Sequence, residues 1–392
     1  VYVTGGNIGK IYGGGEKAET GESNIEVTSG IIEYVFGGGN QAGVSKTNVN
    51  INGGNITNVY GGSNTSGNVE QSFVTTNAGA NNSENGLVME VTTTVEDSGW
   101  RKNQYPQYPT YAKLEVKYTN NTQEEITEWN SNIIAQDSIL FSNYSVSEID
   151  ANNGVYTLTE KNRWDSSQPV KISAGGTYSI QFDILSKQSI EEFSIGYGIS
   201  GQDANGNAVN YSKGIISNVY GGNNQGGTTT TSNVQIKGNG VKDVYGGGNQ
   251  AITNETNVSI NGNVDGNVYG GGNQAGVNTN TNVIIEGATI NDNVYGGGNE
   301  GTVSGNTYVN VKNSNLKDNL YAGGNGVSAV VYGNTNLTMQ GNNNVARNVF
   351  GGGNQAETGT EDKNNSSSTV NIAGATIGGN LYGGANTSVV YG

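Results

Sequence analysis

TNVNINGGNITNVYGGSN (47–64), TNVSINGNVDGNVYGGGN (256–273) and TNVIIEGATINDNVYGGGN (281–299) are three copies of one pattern. Each holds three short apolar pieces, which in the first copy are Val49/Ile51, then Ile56, then Val59. Turns of Asn, Gly and Asp separate them. Pieces this short suit strands, because an amphipathic helix needs about ten or more residues with a 3.6-residue period. No stretch of the chain shows that period with caps.

Working outward, the aromatic-Gly signature recurs at Tyr12, Phe36, Tyr60, Tyr220, Tyr245, Tyr269, Tyr295, Tyr321, Phe350 and Tyr382, with spacings of 24, 24, 160, 25, 24, 26, 26, 29 and 32. One such coil cannot bury its apolar face, whereas stacked coils bury a continuous core. The expected fold is therefore all-β, a parallel β-helix of about 24 residues per coil. Its hand is expected to be right-handed, as parallel crossovers are. Strands of successive coils would lie about 4.8 Å apart, giving a rod of roughly 50 Å. Val49, Ile51, Ile56, Val59 and their equivalents should point inward. An Asn follows each Gly run at Asn40, Asn64, Asn224, Asn249, Asn273, Asn299, Asn325, Asn354 and Asn386, a row suited to an amide ladder. The Gly runs are expected to supply positive φ at a tight corner.

The repeat is interrupted between Tyr60 and Tyr220. A first strand is expected at 68–75, and GIISNVY (214–220) reads as the second half of the same coil. The expected domains are thus a parallel β-helix over 1–79 and 213–392 and a separate domain inserted at 80–212. All three Trp and all three Pro fall in the insert. Strand-length alternating runs at 87–95, 112–119, 155–159, 178–185 and 193–199 predict an antiparallel β-sandwich. The stretch RKNQYPQYPT (101–110) should be extended around its prolines.

Composition removes several function classes. The chain has 392 residues, 64 of them Gly, with no Cys and no His. Disulfides and thiolate metal sites are excluded, as are imidazole ligands and a Ser/His triad. A net charge of −15 argues against a nucleic-acid partner, which needs a basic face. No apolar run reaches the length of about 18 residues that a membrane span requires. Neither end reads as a polar cap, so the chain is expected to come from a longer array. No signal peptide leads it, which implies a mature or excised chain. No cofactor is implied.

Within the insert, LVMEVTTTVEDSGW (87–100), AKLEVKYTNNTQEEITEWNSNI (112–133), FSNYSVS (141–147) and NRWDSSQPVKISAGGTYSIQFDI (162–184) carry a resemblance. Together they resemble the family 2 cellulose-binding modules, over about a third of the chain. The coil repeats resemble the parallel β-helix repeats of bacterial cell-surface adhesins. The module resemblance implies a flat carbohydrate-binding face of three aromatics, which fall on Trp100, Tyr144 and Trp164, and a core tryptophan at Trp129. Tyr144 stands where the family usually carries Trp, and the family's terminal disulfide has no counterpart.

The function expected from these readings is bacterial cell-surface adhesion through polysaccharide binding, without catalysis. The partner would be a plant cell-wall or host glycan, and the location extracellular, at a Gram-positive cell wall. A first alternative is a β-helical polysaccharide lyase or hydrolase. It would use the column Asp292, Asp318 and Arg347, three residues before the aromatic in three successive coils, with Lys242 in an earlier one. In that role the carboxylates would act as acid and base or hold calcium. The bland reading of the column is a turn where Asn, Gly and Asp interchange. A second alternative is a purely structural surface stalk. Glu16, Glu19, Glu22, Glu26 and Glu33 read as a solvated face, with weak calcium binding as the other option.

Overall fold

The computed structural model describes residues 1–77, 87–96, 99–134, 138–142, 155–159, 170–187, 195–206, 208–213, 215–362 and 366–392. The chain divides into two compact units. Val1–Asn52, Ile56–Ala80 and Ile216–Gly392 form one, and Gly53–Asn55 with Asn81–Ile215 form the other. Almost all regular structure is β.

The first unit is a parallel β-solenoid of about 11 turns. Every strand pairing described within it is parallel, and equivalent residues of successive coils sit in register. Val258 pairs with Val283 and Val283 with Val309. Tyr245 pairs with Tyr269 and Tyr269 with Tyr295. Val49, Ile51, Ile56 and Val59 are fully buried, as are Val268, Ile285, Ile290 and Val294. The period-2 burial of Val44–Ile51 and Thr253–Ile260 follows from strand geometry: alternate side chains enter the core and the others face solvent.

A row of buried hydroxyls crosses the interior of each coil. Thr256 Oγ1 donates to the carbonyl oxygen of Gly270, Thr281 to that of Gly296, Thr307 to that of Ala322 and Thr335 to that of Gly351, each at 2.6 Å. Ser23, Thr47, Ser72 and Ser232 do the same in earlier coils. The Thr that opens each TNV repeat thus closes its own coil against the Gly turn, and it satisfies a carbonyl that would otherwise be buried without a partner. A second apolar column, Val277, Val303 and Val331, lies just past the Gly runs.

The Gly runs correct one expectation. Positive φ occurs at Gly54, Gly67, Gly227, Gly240, Gly287 and others, but at no glycine of the aromatic-Gly-Gly runs. Gly270 and Gly271 are there for want of space. A Cβ on Gly270 would sit 2.2 Å from the carbonyl oxygen of Gly296, and one on Gly271 would sit 2.7 Å from the amide nitrogen of Gly298.

Among its described residues the second unit contains two four-stranded antiparallel sheets. One runs Val155–Thr159, Ile126–Ile134, Gly196–Asp203, Ala208–Lys213 in spatial order, and the other Leu87–Glu96, Thr110–Asn120, Thr177–Ser186, Ser138–Ser142. A single apolar cluster draws on both, with Leu87, Met89, Leu114 and Phe182 from one sheet and Ile126, Trp129, Ile133 and Ile199 from the other. Four of the expected strands appear close to their expected bounds. The fifth, expected at 193–199, is Gly196–Asp203, and residues 193–194 of it lie outside the described residues. Ile126–Ile134, Ser138–Ser142 and Ala208–Lys213 are additional.

The stretch 101–110 is not extended throughout. A one-turn helix, Trp100–Gln104, opens it. The helix stops just before Tyr105, whose following Pro106 disfavours helical backbone there. Tyr108 and Tyr111 are buried with Leu185, so the loop folds onto its own sheet.

Candidate functional site

The three aromatics expected to form a carbohydrate-binding face are placed only in part. Trp100 begins the helix Trp100–Gln104, and its side chain lies outside what the structure describes. Tyr144 and Trp164 lie outside the described residues. Trp129 is described fully. It is 2% exposed, it packs against Tyr118 with ring centroids 5.1 Å apart, and its Nε1 donates to the carbonyl oxygen of Val170 at 2.6 Å. A buried indole needs such an acceptor. A β-bulge sets its direction. The register shifts between Ser200 and Gln202, Glu128 takes φ 49°, and a Cβ at Gly201 would sit 3.0 Å from that of Trp129.

The aromatic column of the rod is brought together completely. From Tyr12 to Tyr382 successive rings stack with centroids 4.7–5.0 Å apart and planes 4–13° apart. From Phe36 to Phe350 every ring of the column is buried, so these rings stack on one another and offer no face to a ligand. Burial pushes the Tyr220 phenol up to about 12, with the Asp243 carboxylate adding to the shift. The phenols of Tyr60, Tyr245, Tyr269 and Tyr295 are also raised, burial again being the largest cause.

Beside it runs the amide ladder. Asn64 Nδ2 donates to Asn40 Oδ1 at 2.8 Å, and the row continues through Asn224, Asn249, Asn273, Asn299, Asn325, Asn354 and Asn386 at 2.8–3.0 Å. Asn40 in turn donates to Glu16 at 2.8 Å. A second ladder, two residues before the aromatic, links Asn267, Asn293, Asn319, Asn348 and Asn380 and begins at Asp243. These polar side chains hold coils together.

The charged column is also in register. Pairing of Val294 with Leu320 and of Leu320 with Val349 aligns Asp292, Asp318 and Arg347. Asp318 is tied to Arg347 Nε at 3.3 Å and accepts from its neighbour Asn319 at 2.7 Å. The Asp292 carboxyl is held above the usual carboxylate range by burial, then by Asp243 and Asp318, with Lys242 opposing. Gly266 separates Asp292 from Lys242 in the same column. In the acidic first coils, Glu22 meets Lys46 at 3.5 Å and Asn48 at 2.9 Å, and Glu26 accepts from Asn52 at 3.1 Å. Among the described residues no group of three or more Asp, Glu, His or Cys is placed to hold a metal ion. No helix among them is long and apolar enough to cross a membrane.

The fold defines the chain as a parallel β-solenoid protein carrying a second, antiparallel β unit. No family model matches the sequence, and no curated protein matches it. Among solved structures, a family 20 exo-β-N-acetylglucosaminidase from Vibrio harveyi, in complex with N-acetylglucosamine, is similar at 14% identity with a TM-score of 0.22. That likeness covers 33% of this chain and 18% of the enzyme.

Proposed function

We propose that this chain is a secreted bacterial cell-surface adhesion protein. In this reading a right-handed rod displays a β-sandwich of the family 2 cellulose-binding type, and the sandwich binds cellulose or a related β-glycan without cleaving it. The observation that carries the reading is Trp129, which is buried and hydrogen-bonded at the centre of the cluster shared by both sheets. The family pattern requires a core tryptophan at that position, and the same alignment assigns Trp100, Tyr144 and Trp164 to the binding face. The rod supports a display role, because its recurring polar side chains are engaged in ladders between coils. Asp292, Asp318 and Arg347 are assigned to the turn they occupy.

Exposed aromatic rings stack on the apolar faces of pyranose rings, each contributing roughly 1 kcal/mol beyond area burial by analogy with aromatic pairs. Three such rings give micromolar to millimolar affinity for one module, and many copies on a surface raise it through avidity. The test is retention of the full chain on an insoluble β-glucan. Trp100→Ala and Trp164→Ala should each weaken retention with little change in melting temperature. Trp129→Ala should instead destabilise the sandwich by about 3–5 kcal/mol. Retention unchanged in both surface variants, or unfolding caused by them, would overturn the assignment.

A further inference from the structure

The outward face of the first strand in each coil carries side chains that no ladder of the core requires. One outward column passes from Phe73 through Asn233, Asn257 and Asn282 to Tyr308 in unbroken register. Four inter-coil steps of about 4.8 Å put the two aromatics about 19 Å apart. Tyr308 is 36% exposed, and in the next outward column Ile284 is 47% exposed in mid-rod. Phe73, the three asparagines and Ile284 line a shallow depression of about 290 Å³.

We propose that this strip is a second binding site, and that it takes a single extended chain of a neutral polysaccharide lying along the rod. The rise per coil, about 4.8 Å, is close to the length of one sugar residue in an extended chain, so each coil can address one ring. The amides are oriented by their own row: Asn257 Nδ2 donates to Asn233 Oδ1 at 3.3 Å, and Asn282 Nδ2 to Asn257 Oδ1 at 3.0 Å. Each donation uses one of the two N–H groups on a side-chain amide, and the second remains for a sugar hydroxyl. Tyr308 accepts from Asn306 Nδ2 at 3.1 Å and keeps its own O–H to donate. Between the two aromatics, neither outward column holds an ionisable group other than Tyr308 itself, on a chain with net charge −15. Lys46 Nζ lies 5.6 Å from the centroid of the Phe73 ring at one end of the strip, and the depression beyond it is lined by no charged side chain, which suits a neutral glycan. Because the residues stand on strands, little conformational freedom is lost on binding.

The strip is independent of the proposed sandwich face, and native affinity gels of the full chain with hydroxyethyl cellulose, xyloglucan and galactomannan separate the two. Tyr308→Ala and Phe73→Ala should each weaken retardation by at least one of these about fivefold, at unchanged melting temperature for Tyr308→Ala. The loss should persist when Trp100 and Trp164 are also replaced by alanine. Phe73 is half-buried, so if Phe73→Ala melts early, Tyr308→Ala decides. Unchanged retardation in Tyr308→Ala would overturn the strip while leaving the sandwich reading standing. Loss in Tyr308→Ala with no effect of the tryptophan variants would support the strip and remove the sandwich face. A wild-type chain that none of the three glycans retards overturns the strip.

Discussion

Alanine at Gly271 isolates the demand that one coil places on the next. The second glycine of the run is glycine in all ten coils. Gly271 does not have a left-handed backbone, so alanine meets no φ penalty there. The added methyl would lie 2.7 Å from the Gly298 nitrogen and 2.9 Å from its Cα, atoms of the neighbouring coil's backbone that cannot rotate away. Relief requires the coils to separate locally. That stretches the bond from Gly271 N to Gly297 O, which is 3.0 Å. One backbone hydrogen bond at about 1 kcal/mol, with an overpacking term of about 1–3 kcal/mol, gives a loss of about 2–4 kcal/mol. Gly287 is the counter-case, with φ +67° and nothing within 4 Å of a built Cβ. Alanine there should cost about 1 kcal/mol through backbone strain alone. Urea unfolding followed by far-UV circular dichroism measures both. A Gly271→Ala midpoint indistinguishable from wild type, or a larger loss at Gly287→Ala, would refute the close-approach account.

The buried phenols predict alkaline sensitivity. Folding favours their protonated form, so the stabilisation is complete below pH 10 and is lost as pH rises through the folded values. For Tyr220, moved from 10.0 to about 12, the loss is about 3 kcal/mol, and Tyr220→Phe should flatten the fall in melting temperature above pH 10. The Asp292 carboxyl is raised by burial and by like charges, so folding penalises its charged form. Asp292→Asn should therefore melt at or above the wild-type temperature. The wild type should release no product from polygalacturonate, whereas release that disappears in Asp292→Ala would restore the lyase reading. Replacing 80–212 with a short Gly/Ser joint should leave a cooperatively melting rod, and an aggregated product would show that the insert is integral to it.

The rod was legible because its coils repeat. Val49, Ile51, Ile56 and Val59 each have an equivalent in the next coil, so one register places nearly the whole core. The Asn row was legible for the same reason, because a side-chain amide both donates and accepts and therefore links to an identical neighbour. The hydroxyl row from Ser23 to Thr335 was harder to see. Ser and Thr at the start of a repeat look like turn residues, and only the closed coil shows each one aimed at a carbonyl of the turn, Gly in every coil but that of Thr307, across the interior. Its signal was the fixed spacing of 14–16 residues between hydroxyl and carbonyl. The Gly runs were located correctly but explained wrongly, since sequence does not distinguish a glycine needed for φ from one needed for space. In the insert, Ile126–Ile134 was obscured by its bulge at Glu128, which breaks the alternation. The outward strip from Phe73 to Tyr308 was hidden because its members are 235 positions apart in the chain and become neighbours only through coil register.

Depletion of the full chain by an insoluble β-glucan, at low and high salt, with the supernatant assayed for released sugar, tests the central claim most directly. The contacts proposed are uncharged and the protein is acidic, so binding should be insensitive to ionic strength. The account predicts a saturable isotherm in the micromolar to millimolar range, superimposable at both salt concentrations, with no sugar released. No depletion across several β-glucans, depletion abolished by salt, or sugar appearing in the supernatant would contradict it.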